Sequence, residues 1–577
     1  MIYFAGIGIV ETEVLNIPDT GGKKMKIMLK LPDGGFDERE IEEGAYIEDV
    51  YKSVKDSLAY PCIAAKVDNE YQDLRTRLWS ECKVELLDMR SKGACRVYQA
   101  SISMVFLTAA KKVLGDVLCQ ISNTLNKGLF IELKMKGGAT DEIADKIKVE
   151  MESLIKRDLP FKKEILTREE GLERIKEIGD KAKMRLLEGW PKLKITQFYT
   201  LDGYSEFFYF IMAPSTGYVS KFTLERYRKG LLLRFPDKYA PDGIPEYLDE
   251  PNMYKTFAEQ SEWDELLGVN YVCDLNDKIV DDDYKDLIML SEALHDKKIT
   301  EIANTITEQK KRLVLIAGPS SSGKTTFAKR LCVHLRVNGN KALYMGTDDY
   351  FLDREEMKPD ANGEYDFEGL DAVDTELFNR NMRDLIDGKE VDIPEFDFVE
   401  GKKVFGKRLT KIDKNTVIVI EGIHALNEVL TSEISKDDKF KVYISPLTQL
   451  NIDAHNRVPT TDERLLRRIV RDDRTRGRDA ARTIADWPKV RRGEDQNIFR
   501  YNDEADVMFN SYHIYEIAVL KRFAAPLMEK ITKDQPEYAE AQRILKLLRY
   551  FREIEDTSAI GCDSILREFI GGSVFVS

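Results

Sequence analysis

Residues 312–326 read Arg-Leu-Val-Leu-Ile-Ala-Gly-Pro-Ser-Ser-Ser-Gly-Lys-Thr-Thr, and no other stretch narrows the choice of fold as much. Leu313 to Ala317 is a short unbroken apolar run, as expected of a strand buried on both faces of a parallel sheet. Gly318 to Thr325 then has the spacing Gly-x-x-x-x-Gly-Lys-Thr. Two glycines let the backbone curl so that successive N–H groups aim at one anion, and the helix that follows adds its positive N-terminal end. The spacing predicts a nucleotide-phosphate cradle made of Gly318, Ser320, Ser321, Ser322, Gly323, Lys324, Thr325 and Thr326. Lys324 is placed for the β- and γ-phosphates and the Thr325 hydroxyl for Mg²⁺. The strand-like run before it and the helix-like run after it (Thr325 to Val337, stopped by Asn338-Gly339) give the context the pattern needs.

At 577 residues the chain is too long for one core, so three or four domains are expected. Charged residues make up 33%, and the net charge of −14 argues against a general affinity for nucleic acid or anionic membrane. No apolar run approaches the ~18 residues needed to span a bilayer. The N-terminus has no basic segment ahead of an apolar one, so no signal peptide is expected. Seven cysteines, without a Cys-x-x-Cys pair, read as reduced thiols rather than a disulfide framework or zinc site. A cytoplasmic location without membrane attachment is the expectation.

From Met25 the chain reads as a small β-grasp pattern. MKIMLKLPDGG is an alternating strand ending in a turn, and Phe36 to Ile47 opens toward a helix near Val50 to Leu58. CIAAKVDNEYQDL is strand, turn and strand, and CKVELLD closes the unit. Residues 1–24 add one apolar stretch and a Pro-Asp-Thr-Gly-Gly turn. This arrangement resembles the TGS domain at the front of threonyl-tRNA synthetases. The next section resembles the editing-type domain of those enzymes: GACRVYQASISMVFLTAAKKVL takes the place of its first helix, and Ile211-Met212-Ala213-Pro214-Ser215-Thr216-Gly217 of its late turn. Editing in that family uses a His-x-x-x-His pair with a later Cys and His. Here all five histidines lie beyond residue 294, and the pair's segment reads Tyr98 to Ser103, so hydrolytic editing is not expected. Residues 1–225 hold 34 Lys and Arg against 36 Asp and Glu, which is not a basic platform for RNA, although a local contact stays open. From Glu225 to about Gln309 prolines and then helical spacing suggest a linker with helices.

Beyond the phosphate loop, KALYMGTDDYF, GEYDFEGLDAVD, VDIPEFDFVEGKK, TVIVIEGIHAL and RLLRRIVRDDRTRGRD follow in order. This set resembles the uridine/cytidine kinase and phosphoribulokinase family, P-loop kinases that act on small-molecule hydroxyls. The resemblance implies ATP and Mg²⁺ as cofactors. It aligns Asp348 with the family's catalytic aspartate, able to orient the acceptor hydroxyl, take its proton and approach the metal. Asp349 is the competing assignment. Glu421, directly after the apolar strand Thr416 to Ile420, is placed to hold Mg²⁺ opposite Thr325.

Arg464, Arg468 and Arg471 share one helical face while Leu465, Leu466, Ile469 and Val470 supply another. A solvated basic helix is one reading. The resemblance instead matches Arg468, Arg471 and Arg478 to lid arginines that stabilise charge during transfer. Phe367-Glu368 stands where the family has Phe-Asp on the ribose hydroxyls, and Phe396-Asp397-Phe398 matches a Tyr-Asp-Phe motif lining the base pocket. Phe396 lacks the family's hydroxyl and Gly401 replaces its His, which weakens base-specific readout. After Ser511, IYEIAVLKRFAAPLMEKI and YAEAQRILKLLRYFREI have helical spacing, and Ile570-Gly571-Gly572-Ser573 reads as a flexible end.

The expected architecture is α/β: a P-loop kinase with a parallel sheet flanked by helices (311–577), preceded by a β-grasp domain (1–90), an α+β synthetase-like domain (91–225) and a helical linker (226–310). The expected reaction is ATP-dependent phosphorylation of a nucleoside 5′-hydroxyl, uridine or cytidine first. A sugar phosphate or vitamin-like alcohol as acceptor, and a nucleotide-switched RNA-binding regulator, are the alternatives. An oligomer is compatible with the sequence.

Overall fold

A computed structural model of the chain describes residues 23–189, 193–357 and 369–576. The apolar stretch and the turn read in residues 1–22 lie outside the described residues. The C-terminal half is built on a five-stranded, all-parallel sheet. Its order is Lys341–Gly346, Thr416–Glu421, Leu313–Ala317, Lys439–Ser445, Val507–Asn510. Leu313–Ala317 is buried at every position, as the unbroken apolar run predicts for a central strand. Helices Lys324–Val337, Thr460–Arg476, Glu516–Met528 and Tyr284–Glu308 cover the sheet.

The register sets the site. Ile316 pairs with Glu421, and Glu421 pairs with Gly346 on its other side. Three strands therefore end at one level, and the phosphate loop, Glu421 and the turn carrying Asp348 emerge side by side. That is the carboxyl edge where open parallel sheets place their ligands.

The first half has a small mixed sheet, in the order Phe36–Glu42, Lys24–Lys30, Cys82–Asp88, Cys62–Val67, Glu70–Asp73, with helix Ile47–Val54 across it. Asp68 and Asn69 take positive φ in the tight turn between two of its strands. One element departs from the sequence reading. Phe36–Glu42 is a strand, not the approach to a helix; it pairs only with Lys24–Lys30 and stays solvated on both faces, so no apolar alternation marks it.

Helix Lys92–Leu114 then packs under a four-stranded sheet (Thr223–Tyr227, Gly230–Arg234, Gly128–Leu133, Cys119–Leu125) and a three-stranded one (Tyr204–Phe207, Ile195–Leu201, Lys162–Thr167). Glu225, read as the start of a linker, lies inside a strand whose hairpin partner pairs with Gly128–Leu133. No helix among the described residues is long and apolar enough to cross a membrane.

The two halves share one apolar core, in which Phe198 and Phe207 join Leu267, Ile288, Leu466 and Ile544. The loop between strand Lys439–Ser445 and helix Thr460–Arg476 is held from the N-terminal side. Ile121 donates its amide to Ala454 (2.8 Å), Arg457 donates to Thr124 Oγ1 (2.7 Å), and Asn456 donates to the Phe207 carbonyl (2.9 Å). Lys183 and Glu206, both fully buried, pair at 2.7 Å beside this loop. The N-terminal half thus anchors the chain that leads into the arginine helix.

Candidate active site

Gly318 begins the loop because a Cβ there would collide with the Ile444 carbonyl on the neighbouring strand. Ser321 and Gly323 take positive φ, which curls the backbone as an anion cradle requires. Lys324 Nζ folds back onto the carbonyls of Gly318 (2.9 Å) and Pro319 (3.3 Å), bracing the loop. Ser511 Oγ donates to the Ser322 carbonyl (2.6 Å) from beneath.

Thr325 Oγ1 donates to Glu421 Oε1 (2.9 Å), and the Tyr344 hydroxyl donates to the same oxygen (3.1 Å). Burial, then the Glu421 and Asp348 carboxylates, push the Tyr344 phenol well above its usual range. Thr325, Glu421, Tyr344 and Asp348 therefore form one electrostatic group. Hydroxyl and carboxylate oxygens at the loop edge suit a hard divalent cation, which needs only one or two carboxylates when phosphates supply the rest. Thr325 and Glu421 fit Mg²⁺ on those grounds.

Asp348 is exposed in the turn Thr347–Tyr350, immediately after strand Lys341–Gly346. Asp349, its competitor, is tied to Arg408 at 2.6 Å. Next to this turn stand three aromatic rings. Phe351 meets Phe396 edge-on at 5.6 Å, and Phe396 meets Phe398 at 5.1 Å. Phe396 is buried and Phe398 exposed, and the strand that carries Phe396 packs against the turn that carries Asp348. Phe367 and Glu368 lie outside the described residues.

The arginine helix is not a solvated basic face. Arg464, Arg467 and Arg468 are buried against the loop. Arg464 Nε donates to the Ser320 carbonyl (3.0 Å) and Arg468 Nη1 to Ser320 Oγ (2.7 Å). Arg467 reaches the Ser321 carbonyl (3.3 Å) and is gripped by both oxygens of Glu516 (2.7 and 2.6 Å). Arg471 lies on Asp472 (2.8 Å), and Arg478, exposed in the turn after the helix, faces Asp486 (3.4 Å). Of the three predicted lid arginines, the described structure brings Arg468 onto the loop, while Arg471 and Arg478 are on carboxylates of their own helix pair.

Three contributors escape motif reading. Glu494, from helix Ala480–Asn497, accepts the Ser320 amide at 2.8 Å and pairs with Arg464. Glu568 accepts from Thr326 Oγ1 (2.7 Å), and Ile565 occupies the space a Cβ on Gly323 would need. The C-terminal segment, read as a flexible end, is docked instead: Arg474 donates to the carbonyls of Glu568 (3.0 Å) and Phe569 (3.2 Å), and Lys329 to that of Phe575 (2.6 Å). A glutamate with no fixed spacing to the loop gives no local signal, although the run Ile565-Leu566-Arg567-Glu568-Phe569-Ile570 has the apolar spacing of a packed turn.

Residues 313–518 match the Phosphoribulokinase / Uridine kinase family. The C-terminal half thus carries a kinase domain of that family. Among solved structures, D-glycerate 3-kinase from Cryptococcus neoformans is 11% identical with a TM-score of 0.19, covering 44% of this chain and 87% of that one. A Bacillus stearothermophilus structure titled "Possible Uridine Kinase" is 20% identical with a TM-score of 0.25, covering 37% and 97%. The front half is similar to threonine–tRNA ligases, at 26% identity over 196 residues for Listeria welshimeri and 31% over 156 residues for Natranaerobius thermophilus. These cover 34% and 27% of this chain, which itself spans only 30% and 24% of those relatives.

Proposed function

We propose that the chain transfers the γ-phosphoryl group of ATP to the 5′-hydroxyl of a nucleoside, uridine or cytidine, giving the monophosphate and ADP. The observation that carries this reading is the meeting, at one sheet edge, of the loop, the Thr325–Glu421 pair and the Asp348 turn, with the Phe396–Phe398 ring pair next to that turn. The loop amides and Lys324 hold the phosphates once Lys324 leaves its carbonyl partners. Thr325 and Glu421 would hold Mg²⁺, which would supply neutralisation of phosphate charge. Asp348 orients the acceptor hydroxyl and takes its proton; Asp349 is the poorer base because Arg408 already claims it. Arg468 sits at the loop, and Arg471 and Arg478 would have to leave Asp472 and Asp486 to stabilise charge on the transferred group.

The exposed Phe398 ring, backed by Phe396, suits a planar base but reads no hydrogen-bond pattern. Discrimination among bases should accordingly be weak, and Glu368 remains the proposed ribose contact. Measuring ADP release across nucleosides, sugar phosphates and simple vitamin-like alcohols tests the acceptor class. Saturable stimulation by uridine or cytidine is the expected outcome. Stimulation only by a non-nucleoside alcohol would keep the phosphotransfer and replace the acceptor.

The likeness of the front half to threonine–tRNA ligases favours one additional reading, contact of that half with RNA. A mobility shift of tRNA that weakens as salt rises would support it.

A further inference from the structure

A cavity of about 830 Å³ lies away from the phosphate loop, where the N-terminal mixed sheet, the three-stranded sheet and helix Tyr538–Leu548 meet. Its size is that of a small-molecule site. Tyr71 and Phe210 form one wall, edge to face at 5.6 Å. Lys163, Lys546 and Arg549 enter it from two different elements.

The charges inside are unbalanced. Arg543 is taken up by Asp462 and Glu540, Lys533 stands 3.5 Å from Glu70, and Lys163 stands 3.6 Å from Asp73. Lys546 and Arg549 have neither a carboxylate nor a side-chain hydrogen-bond partner among the described residues. Lys546 is half-buried, and its burial, with Lys163 and Arg549 nearby, pushes its amine down to about 7. A desolvated cation facing two like charges is the arrangement that a bound anion relieves, and phosphate oxygens are the acceptors such groups hold best.

We propose that this cavity is a second ligand site, separate from the phosphate loop, for a small phosphate ester carrying a planar ring. The phosphate lies among Lys163, Lys546 and Arg549, and the ring against Tyr71 and Phe210. Lys546 lies half-buried in the recess with Lys163 and the exposed Arg549 beside it on the lining, a compact group that favours a small anion over an RNA backbone. The site also has a route to the phosphate loop. Arg543, three residues before Lys546 on the same helix, holds Asp462 at 2.7 Å, and two residues later Arg464 donates to the loop at Ser320. A ligand that moves this helix shifts the loop's affinity for nucleotide, and nucleotide shifts the ligand's affinity by the same factor.

The test uses the full chain and does not depend on phosphotransfer. Pyridoxal 5′-phosphate carries a phosphate, a planar ring and an aldehyde. The aldehyde condenses with an unprotonated lysine, releasing water, and borohydride hydride reduces the imine to a stable amine. Peptide mapping separates Lys546 from Lys324. Lys546 is expected to label at least about tenfold faster with this probe than with pyridoxal, after each rate is divided by that probe's rate on free Nα-acetyl-lysine to remove the hemiacetal that pyridoxal forms with its own hydroxyl. Excess uridine 5′-monophosphate should slow that labelling at least about fivefold, by competition for one site. In the K163M/R549M variant both effects should fall away while Lys546 still reacts. Equal labelling by the two aldehydes overturns the site, as does protection that survives in the double variant. Protection by tRNA but not by the monophosphate would replace the small ligand with RNA.

Discussion

Arg96→Met is the sharpest probe of the contact between the two halves. Arg96, on helix Lys92–Leu114, donates to Glu540 at 2.7 and 3.1 Å and to Asp462 at 3.1 Å. Asp462 lies in the first turn of the arginine helix and is fully buried. Arg543 completes the cluster, reaching Asp462 at 2.7 and 2.8 Å and Glu540 at 2.9 and 3.0 Å, with Lys92 3.7 Å from Glu540. Burial pushes the Lys92 amine down to about 7, so it compensates only in part.

Removing Arg96 leaves two carboxylates facing one guanidinium and a weakened ammonium. Breaking a buried pair costs about 3–5 kcal/mol, and because Arg543 stays in place the lower end, about 3 kcal/mol, is expected here. Urea unfolding of R96M, D462N and the double variant measures it as a cycle. A coupling of about 1.5–3 kcal/mol is the expected result. Additivity to within about 0.3 kcal/mol would refute the claim that the N-terminal half grips the arginine helix through this cluster.

Other consequences follow from single residues. Asp264 is buried and accepts a side-chain hydrogen bond from Gln260 (2.9 Å), and burial raises its carboxyl to about 7. Its folded pKa exceeds the unfolded one near 3.8, so the folded state holds the extra proton between those values. Stability should fall by about 1.4 kcal/mol per unit as pH rises through that window, flattening above 7. D264N should therefore gain in melting temperature over the wild type at pH 8 and not at pH 4, by calorimetry. Removing residues 562–577 strips the Glu568 and Phe575 contacts from the loop helix; weaker ATP binding and a lower melting temperature are expected, and unchanged ATP affinity would contradict the buttressing role. Gly323→Ala combines positive φ, costing about 1 kcal/mol, with a clash against Ile565, so it should lose more than a surface Gly→Ala change, and I565A should recover part of the loss.

Legibility in the sequence follows the range of the contacts involved. The loop Gly318 to Thr325 and the apolar strands around it are local features, readable because the glycine spacing and the unbroken apolar runs each have one physical meaning. Glu421 is suggested by the strand end that carries it, whereas the choice of Asp348 over Asp349 comes from the family resemblance. Glu494 and Glu568 carry no such mark: each reaches the loop or its helix from more than 150 residues away, and a lone acid on a helix gives no sign of its partner. Arg467 lies between the two faces that helical spacing draws; Glu516, from another helix, is what draws it inward. Phe36–Glu42 has no apolar face to mark it, and the hairpin Thr223–Arg234 pairs with residues about a hundred positions earlier.

The account turns on whether the carboxylate at 348 takes the acceptor's proton. Initial rates of uridine-dependent ADP release with Mg²⁺, set beside ATP binding by calorimetry, decide it for Asp348→Asn. The expected result is a fall of about 10²–10⁴-fold in the acceptor-dependent rate with ATP affinity retained. A D348N enzyme that turns over uridine at the wild-type rate would contradict the account.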